Sequence, residues 1–310
     1  MSSFDNRFLD GKTIGFSIGN NQDLQRRGFG QEHLRDITLE FARYLLNSGA
    51  QLAFGHDIRS GGYGELLGEL NQYYTPTTTE RKPSINYLAW PIVTTLRATD
   101  KLELADMGID AQLFECPKAM EDERPVNPGT YFFPTAEEKA QEAQYIAASR
   151  RYHWALCLNE MRKKMASETH ANLFIGGKLT GFSGLLPGIV EEAWLASKKG
   201  NPIYLMGVFG GSSHAISEAL QGRNPEVFSM NYHKDGTPGY EEAYERYVKA
   251  VEHTDPLKES LGYFQNIGLK GLSDLNGLSI DDNLRLFETP HIPEMVRLVL
   301  KGLSSVEPIE

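Results

Sequence analysis

Short apolar runs alternate with stretches of helical spacing along most of the chain. The run K-T-I-G-F-S-I-G, from Lys12 to Gly19, lies between a charged start and a Gly-Asn-Asn stop and reads as a buried strand. Between His33 and Ser48, residues Leu34, Ile37, Phe41 and Leu45 recur at three- and four-residue steps and Gly49 follows as a C′ residue, which predicts an amphipathic helix. Ala50 to Phe54 repeats the strand pattern, and Tyr63 to Tyr74 repeats the helical one through Leu66, Leu67 and Leu70. Strand, helix, strand, helix is the order of a parallel α/β sheet.

After a polar, Thr-rich connection from Thr75 to Ser84, strands are predicted at Ile85 to Val93, Ala111 to Phe114, Ala171 to Ile175, Pro202 to Met206 and Arg285 to Phe287. Most are short and apolar on both faces, as central parallel strands are. The expectation is an α/β, Rossmann-like three-layer sandwich on a mostly parallel sheet of about seven strands. Pro117 to Pro134 holds four prolines and one glycine and reads as an ordered excursion or a flexible lid. Ala136 to Ser167 reads as one long helix with a candidate break near His153. Gly188 to Lys199 and Ser212 to Leu220 are further helices, closed by Gly200 and Gly222. One domain over 1–310 is expected, with an inserted region at 115–135 and a C-terminal helical extension at 240–310.

Composition agrees with this class: 310 residues, 40% hydrophobic and 23% charged, can bury a sizeable core. The balance of 31 Lys+Arg against 41 Asp+Glu gives −10, which argues against binding the phosphate backbone of nucleic acid. No uninterrupted apolar stretch approaches the roughly 18–20 residues of a membrane span, and the start M-S-S-F-D-N-R-F lacks the order of a signal peptide. A cytoplasmic protein is expected. Cys116 and Cys157 are too few for a disulfide framework and fit a reduced compartment.

Three glycine clusters each follow a predicted strand: Gly19-Asn20-Asn21, then Gly61-Gly62-Tyr63-Gly64, then Gly207 to Gly211 ahead of Ser212. All three should reach one sheet edge, where parallel sheets bind ligands and helix N-termini favour phosphate. Taken singly, each is explained by a tight turn. No G-x-G-x-x-G, P-loop, C-x-x-C, H-E-x-x-H or G-x-S-x-G motif is present. His56 and Asp57 are either ligands or a satisfied loop pair. Tyr63 is the better candidate for base stacking, with Tyr131 or Phe132 joining if the proline-rich segment closes, whereas Trp90 and Trp194 read as core.

The densest segment runs from Met161 to Glu192: M-R-K-K-M, then A-N-L-F-I-G-G-K-L-T-G-F-S-G-L-L-P-G-I-V-E-E. A basic helix ending in R-K-x-x-M, a strand, a double glycine and G-x-x-E-E opening a helix resemble the Smf/DprA and Lonely-Guy superfamily, called SLOG. H-L-R-D (His33 to Asp36), A-R-Y-L-L (Ala42 to Leu46), L-A-W-P (Leu88 to Pro91), G-x-F-G-G (Gly207 to Gly211) and N-G-L-S-I-D-D-N (Asn276 to Asn283) extend the likeness to prokaryotic SLOG-type proteins across nearly the whole chain.

The resemblance implies a Rossmannoid fold and a nucleotide-derived small-molecule ligand, an ADP-ribose derivative included, in bacterial defence or signalling. Nothing visible in the sequence requires a metal or a cofactor; superfamily analogy alone suggests a homodimer, and a sensor would need self-assembly or a separate effector protein. Lonely-Guy enzymes cleave the bond between a base and ribose 5-phosphate. Carried over, Arg162 matches the family arginine and would grip phosphate through its fork. Glu192 matches the glutamate of G-x-x-x-E, able to stabilise a ribosyl cation or activate water, with Glu191 facing elsewhere. Gly176, Gly177, Lys178, Gly184, Gly188, Gly210, Gly211 and Ser212 join Gly19, Asn20, Gly61, Gly62 and Tyr63 as the nucleotide-binding set. Ten residues separate Gly177 from Gly188 where the hydrolase motif has one, and Ile189 replaces its threonine. This insertion either enlarges the pocket or removes catalysis. A plainer account leaves Arg162 solvated and Glu191-Glu192 as helix N-terminal acids.

Three readings follow: an N-glycosidase acting on a nucleotide or NAD-related molecule, a non-catalytic sensor or sequesterer of such a signal, and, weakest, an interaction protein without a small ligand.

Overall fold

The computed structural model describes residues 7–55, 58, 61–74, 81–235, 237–250 and 255–306. His56 and Asp57 lie outside the described residues. Among the described residues six strands form one sheet: β1 (Thr13–Gly19), β2 (Gln51–Gly55), β3 (Ser84–Leu88), β4 (Ile109–Leu113), β5 (Ala171–Gly176) and β6 (Ile203–Met206). All pairings are parallel, in the order β4-β3-β2-β1-β5-β6. The chain winds outward from β1 to β4, then crosses back to place β5 on the other side of β1. The strand order therefore reverses between β1 and β5, the switch point at which open α/β sheets leave a crevice.

The helices of nine residues or more among the described residues are α1 (Gln31–Asn47), α2 (Tyr63–Asn71), α3 (Ala98–Asp106), α4 (Gln144–Glu168), α5 (Gly188–Lys198), α6 (Gly211–Leu220), α7 (Tyr240–Ala250), α8 (Pro256–Asn276), α9 (Ile280–Glu288) and α10 (Ile292–Ser305). They cover both faces because the strands alternate with period two. Leu52, Phe54, Leu173, Ile175, Tyr204 and Met206 join the core beneath α1, α2 and α10. Ala53, Phe174, Ile203 and Leu205 point the other way, towards the helices α4 to α8. The result is the Rossmann-like three-layer α/β sandwich that the pattern predicts.

Six strands stand where seven are expected, and the difference is Arg285–Phe287. These residues belong to α9, which Ser279 caps by accepting from the backbone N–H of Asp282. Its buried positions Asn283, Leu286 and Phe287 have helical spacing, and a three-residue apolar run carries too little alternation to tell the two apart. The N-G-L-S-I-D-D-N segment is a structural corner. Asn276 donates to the Ile203 carbonyl at 3.0 Å and to Asn283 Oδ1 at 2.8 Å, and Tyr204 donates to the Asn276 carbonyl at 2.9 Å. Gly277 turns the chain there with φ of +72°. This corner brings α9 against β6.

Two other boundaries shift. Trp90–Val93, expected as strand, forms a short helix with Pro91 in its first turn. The long helix breaks at Glu142 and Ala143, between Ala136–Gln141 and α4, and runs unbroken through His153. His153 is 4% exposed, yet both ring nitrogens have partners: Tyr131 Oη at 2.9 Å and Glu123 Oε2 at 3.0 Å. Both partners belong to the proline-rich segment, which is an ordered excursion with helical turns at Lys118–Glu123 and Pro128–Phe132. Burial raises the Tyr131 phenol to about 12.

Burial also lowers the imidazoles of His153, His170, His214 and His233 below their usual 6.5. Below about pH 6.5 the unfolded chain takes up protons that the folded chain refuses, so stability is full above that pH and falls beneath it. Urea unfolding at pH 7.5 and 5.5 should give a lower midpoint at 5.5, with a smaller difference in His153→Asn; equal midpoints for the wild type would refute the account.

No described helix is long and apolar enough to cross a membrane. Cys116 and Cys157 are both free thiols, and burial pushes the Cys157 thiol well up.

Candidate functional site

A cleft of about 610 Å³ opens at the carboxyl ends of β1, β2 and β5, on the switch point. That volume is ordinary for a small-molecule site. Its floor is a chain of polar side chains from three elements, β1, α4 and α5. Ser17, near the end of β1, donates its hydroxyl to Glu192 Oε2. Arg162 on α4 donates from Nε to Glu192 Oε1 at 3.2 Å and from Nη1 to Glu191 Oε2. Asn159, one turn earlier on α4, donates to Glu191 Oε1 at 2.6 Å.

Arg162 is 8% and Glu191 6% exposed, so this ion triad is shielded from water. Burial alone would make the guanidinium easier to deprotonate, but the carboxylates of Glu191 and Glu192 outweigh it and hold Arg162 above its usual value. Gly188 permits the approach, because a Cβ there would come within 2.8 Å of Arg162 Nη2.

Glu191 therefore does not face elsewhere: it shares the guanidinium with Glu192. Arg162 is buried rather than solvated, and its fork is filled by carboxylates, so a phosphate at that position would have to displace them. Glu191 also lies in the first turn of α5, where the helix dipole favours it. The dipole accounts for that placement but not for Glu192 or for the arginine drawn in from another helix.

The expected ligand-binding residues divide into two groups. Gly19, Asn20, Gly61, Gly62, Tyr63, Gly177, Lys178, Gly184 and Gly188 line the cleft together with Arg162 and Glu192. Gly176, Gly210, Gly211 and Ser212 do not line it: at Gly176 and Gly211 backbones cross too closely for a side chain, and Gly210 is crowded by the side chains of Asp23 and Arg27. A Cβ on Gly176 would lie 2.4 Å from the Gly19 carbonyl oxygen, and one on Gly211 would lie 2.2 Å from that of Gly177. The polar groups here serve one another. Gly177 donates to the Gly19 carbonyl at 2.7 Å, Ser212 N–H to that of Gly177 at 3.1 Å, and Gly176 to Ser213 Oγ at 3.0 Å. The N-terminus of α6 is met by a carboxylate of the chain itself, Asp23 Oδ2, at 3.4 Å from Gly211 N.

This junction sets the third glycine loop as a brace. Gly211→Ala should destabilise the fold by about 1–3 kcal/mol, from overpacking and from a φ of +64° that alanine tolerates poorly. Thermal unfolding would check it; an unchanged midpoint would show that the junction yields.

The insertion forms one wall through Lys178, Gly181, Phe182, Ser183, Gly184 and Leu186. It is held from behind. Arg151 on α4 donates from Nη1 to the carbonyls of Phe182 and Gly184, each at 2.9 Å, and its guanidinium lies 5.4 Å from the Tyr240 ring centre. Tyr240 donates its hydroxyl to the Leu185 carbonyl at 2.6 Å.

None of the proline-rich residues lines the cleft. Phe132 packs edge-on against Trp90 at 5.6 Å and Trp154 at 5.4 Å, and Tyr131 is engaged with His153, so neither acts as a stacking platform in this arrangement. The cleft-lining tryptophan is Trp154. Sequence reasoning missed it together with Ser17, Asn159 and Arg35. The signal was present for the α4 pair: Trp154, Leu158, Met161 and Arg162 follow helical steps on one stripe, and Asn159 precedes Arg162 by three. For Ser17 it was a hydroxyl set between Phe16 and Ile18 inside a mostly apolar strand.

A family model described as SLOG cluster2 matches residues 8–286. No curated protein matches the chain.

Proposed function

From the premise that the chain belongs to the SLOG family, in its cluster 2, we propose that the switch-point cleft binds a ribonucleotide-type ligand and hydrolyses its N-glycosidic bond. The family suggests a nucleotide-related ligand. The observation that carries the hydrolytic reading is the pair of carboxylates held on Arg162 at the cleft floor, with Glu192 lining the cavity. A carboxylate fixed there faces the place where positive charge develops on C1′ as the base departs, and such preorganised charge lowers a barrier without reorganising. Ser17 and Arg162 hold Glu192 in one orientation, and Asn159 holds Glu191, so these act as positioning residues. Gly61 and Gly62 line the cavity ahead of α2 without side chains of their own, which leaves room for a sugar phosphate.

The experiment is incubation with nucleoside monophosphates, NAD, nicotinamide mononucleotide, ADP-ribose and cyclic ADP-ribose forms, following free base and sugar phosphate by chromatography alongside the melting temperature. Base release supports the hydrolase. Stabilisation by a ligand that stays intact would instead make the protein a sensor of a nucleotide signal, acting through self-assembly or a separate effector. That second reading is favoured by the filled fork of Arg162 and by the insertion. No ligand-dependent shift and no release would remove both.

A further inference from the structure

We propose that the cleft is built for a pyridinium ribonucleotide, whose glycosidic nitrogen is cationic and whose phosphate is anionic, in preference to a neutral purine nucleotide. The inference rests on the nucleotide reading above and names its substrate class. It comes first from the charge layout. On the floor one guanidinium meets two carboxylates, leaving one negative charge in a shielded place where it acts strongly. At the mouth of the same cleft stand two exposed cations, Lys178 and Arg35. Charge thus runs from negative at the floor to positive at the rim. A pyridinium ribotide is the matching dipole, with its cation on C1′ and its phosphate at the other end of the sugar.

The walls agree. Phe16, Phe54, Tyr63, Trp154 and Phe182 all line the cavity, and aromatic rings attract cations that have shed water.

The leaving group gives a separate reason. Glu192 accepts from Ser17 and Arg162, and Glu191 accepts from Asn159 and Arg162. The two floor carboxylates thus receive hydrogen bonds and hand no proton to a departing base. A neutral purine needs that proton to leave. A pyridinium does not: the C1′–N bond breaks with its electron pair neutralising the ring nitrogen, and the oxygen of water bonds to C1′. The water proton passes to the Glu192 carboxylate and on to solvent. The products are the neutral pyridine base, the sugar phosphate and one proton, with nothing oxidised or reduced.

The test is calorimetric titration of the wild-type protein, at low ionic strength, with nicotinamide mononucleotide, its uncharged 1,4-dihydro form and AMP. The first two share shape and phosphate and differ in the charge on the ring. The oxidised form should bind at least about tenfold more tightly than the dihydro form. In Glu191→Gln, where the floor charge is balanced, that ratio should fall below about threefold, and free base should appear faster from nicotinamide mononucleotide than from AMP. Equal affinity for the oxidised and dihydro forms would overturn the inference while leaving the nucleotide reading standing. Failure of all three probes to bind would overturn both. The wild-type comparison decides the matter even if the variant does not fold.

Discussion

Replacing Arg162 with leucine should destabilise the protein by about 3–5 kcal/mol at neutral pH, the cost of leaving buried carboxylates without their partner. The triad is well shielded: the side chains of Arg162, Glu191 and Glu192 are 9%, 8% and 14% exposed, so water does little to screen the loss. Asn159 and Ser17 each still donate one hydrogen bond, which offsets part of the penalty but none of the charge. Acid relieves an unpaired buried carboxylate by protonating it, so the deficit should shrink between pH 7 and pH 5. Urea unfolding of both proteins at the two pH values measures this. A deficit under about 1 kcal/mol, or one independent of pH, would mean that the guanidinium is not what holds the acids.

Glu192→Gln should lower the rate of base release by about 10²–10³-fold, the usual effect of removing one preorganised electrostatic group from a transition state. The amide is nearly the shape of the carboxylate and can still accept from Ser17 or Arg162, while Arg162 keeps Glu191 as its counter-ion. Stability should therefore change by no more than about 1 kcal/mol, which separates a chemical role from a structural one. Turnover of the best substrate at the wild-type rate would end the proposed mechanism. A fall in turnover matched by a collapse in melting temperature would move Glu192 from chemistry to architecture.

The two variants differ because the same ion triad has two jobs. It ties α4 to α5 across the carboxyl end of β1, and it leaves an unbalanced negative charge in a cavity. Buried ion pairs are weak sources of net stability compared with apolar packing. Retaining one at a switch-point cleft, with an extra carboxylate, is easier to understand as chemistry than as glue.

Much of the architecture was legible along the chain. Leu34, Ile37, Phe41 and Leu45 mark α1 because a helix turns its neighbours at three and four residues onto one face. The runs at Lys12 to Gly19 and Ala171 to Ile175 mark β1 and β5 because strands covered on both faces are continuously apolar. Arg285 to Phe287 failed for the converse reason, being too short for either period to show. The break at Glu142 could not be located, since it is fixed by Arg150, eight residues on, clamping the Glu142 carboxylate.

Most element types, the parallel α/β class, the edge of the sheet where the glycine loops gather and the family to which the chain belongs are written in local sequence pattern. It named Arg162 and Glu192, because motif spacing along one strand-to-helix unit is local information. What those residues do to each other depends on how distant elements pack. Glu191 joins the guanidinium because α5 packs against α4, and Ser17 reaches Glu192 because β1 lies beside β5, partners 175 residues apart. Likewise Gly176, Gly210, Gly211 and Ser212 carry the same glycine-rich signal as the residues that line the cleft, yet their polar groups are used where three loops cross. A glycine records only that the backbone needs space; whether a ligand or another loop takes that space depends on what folds against it.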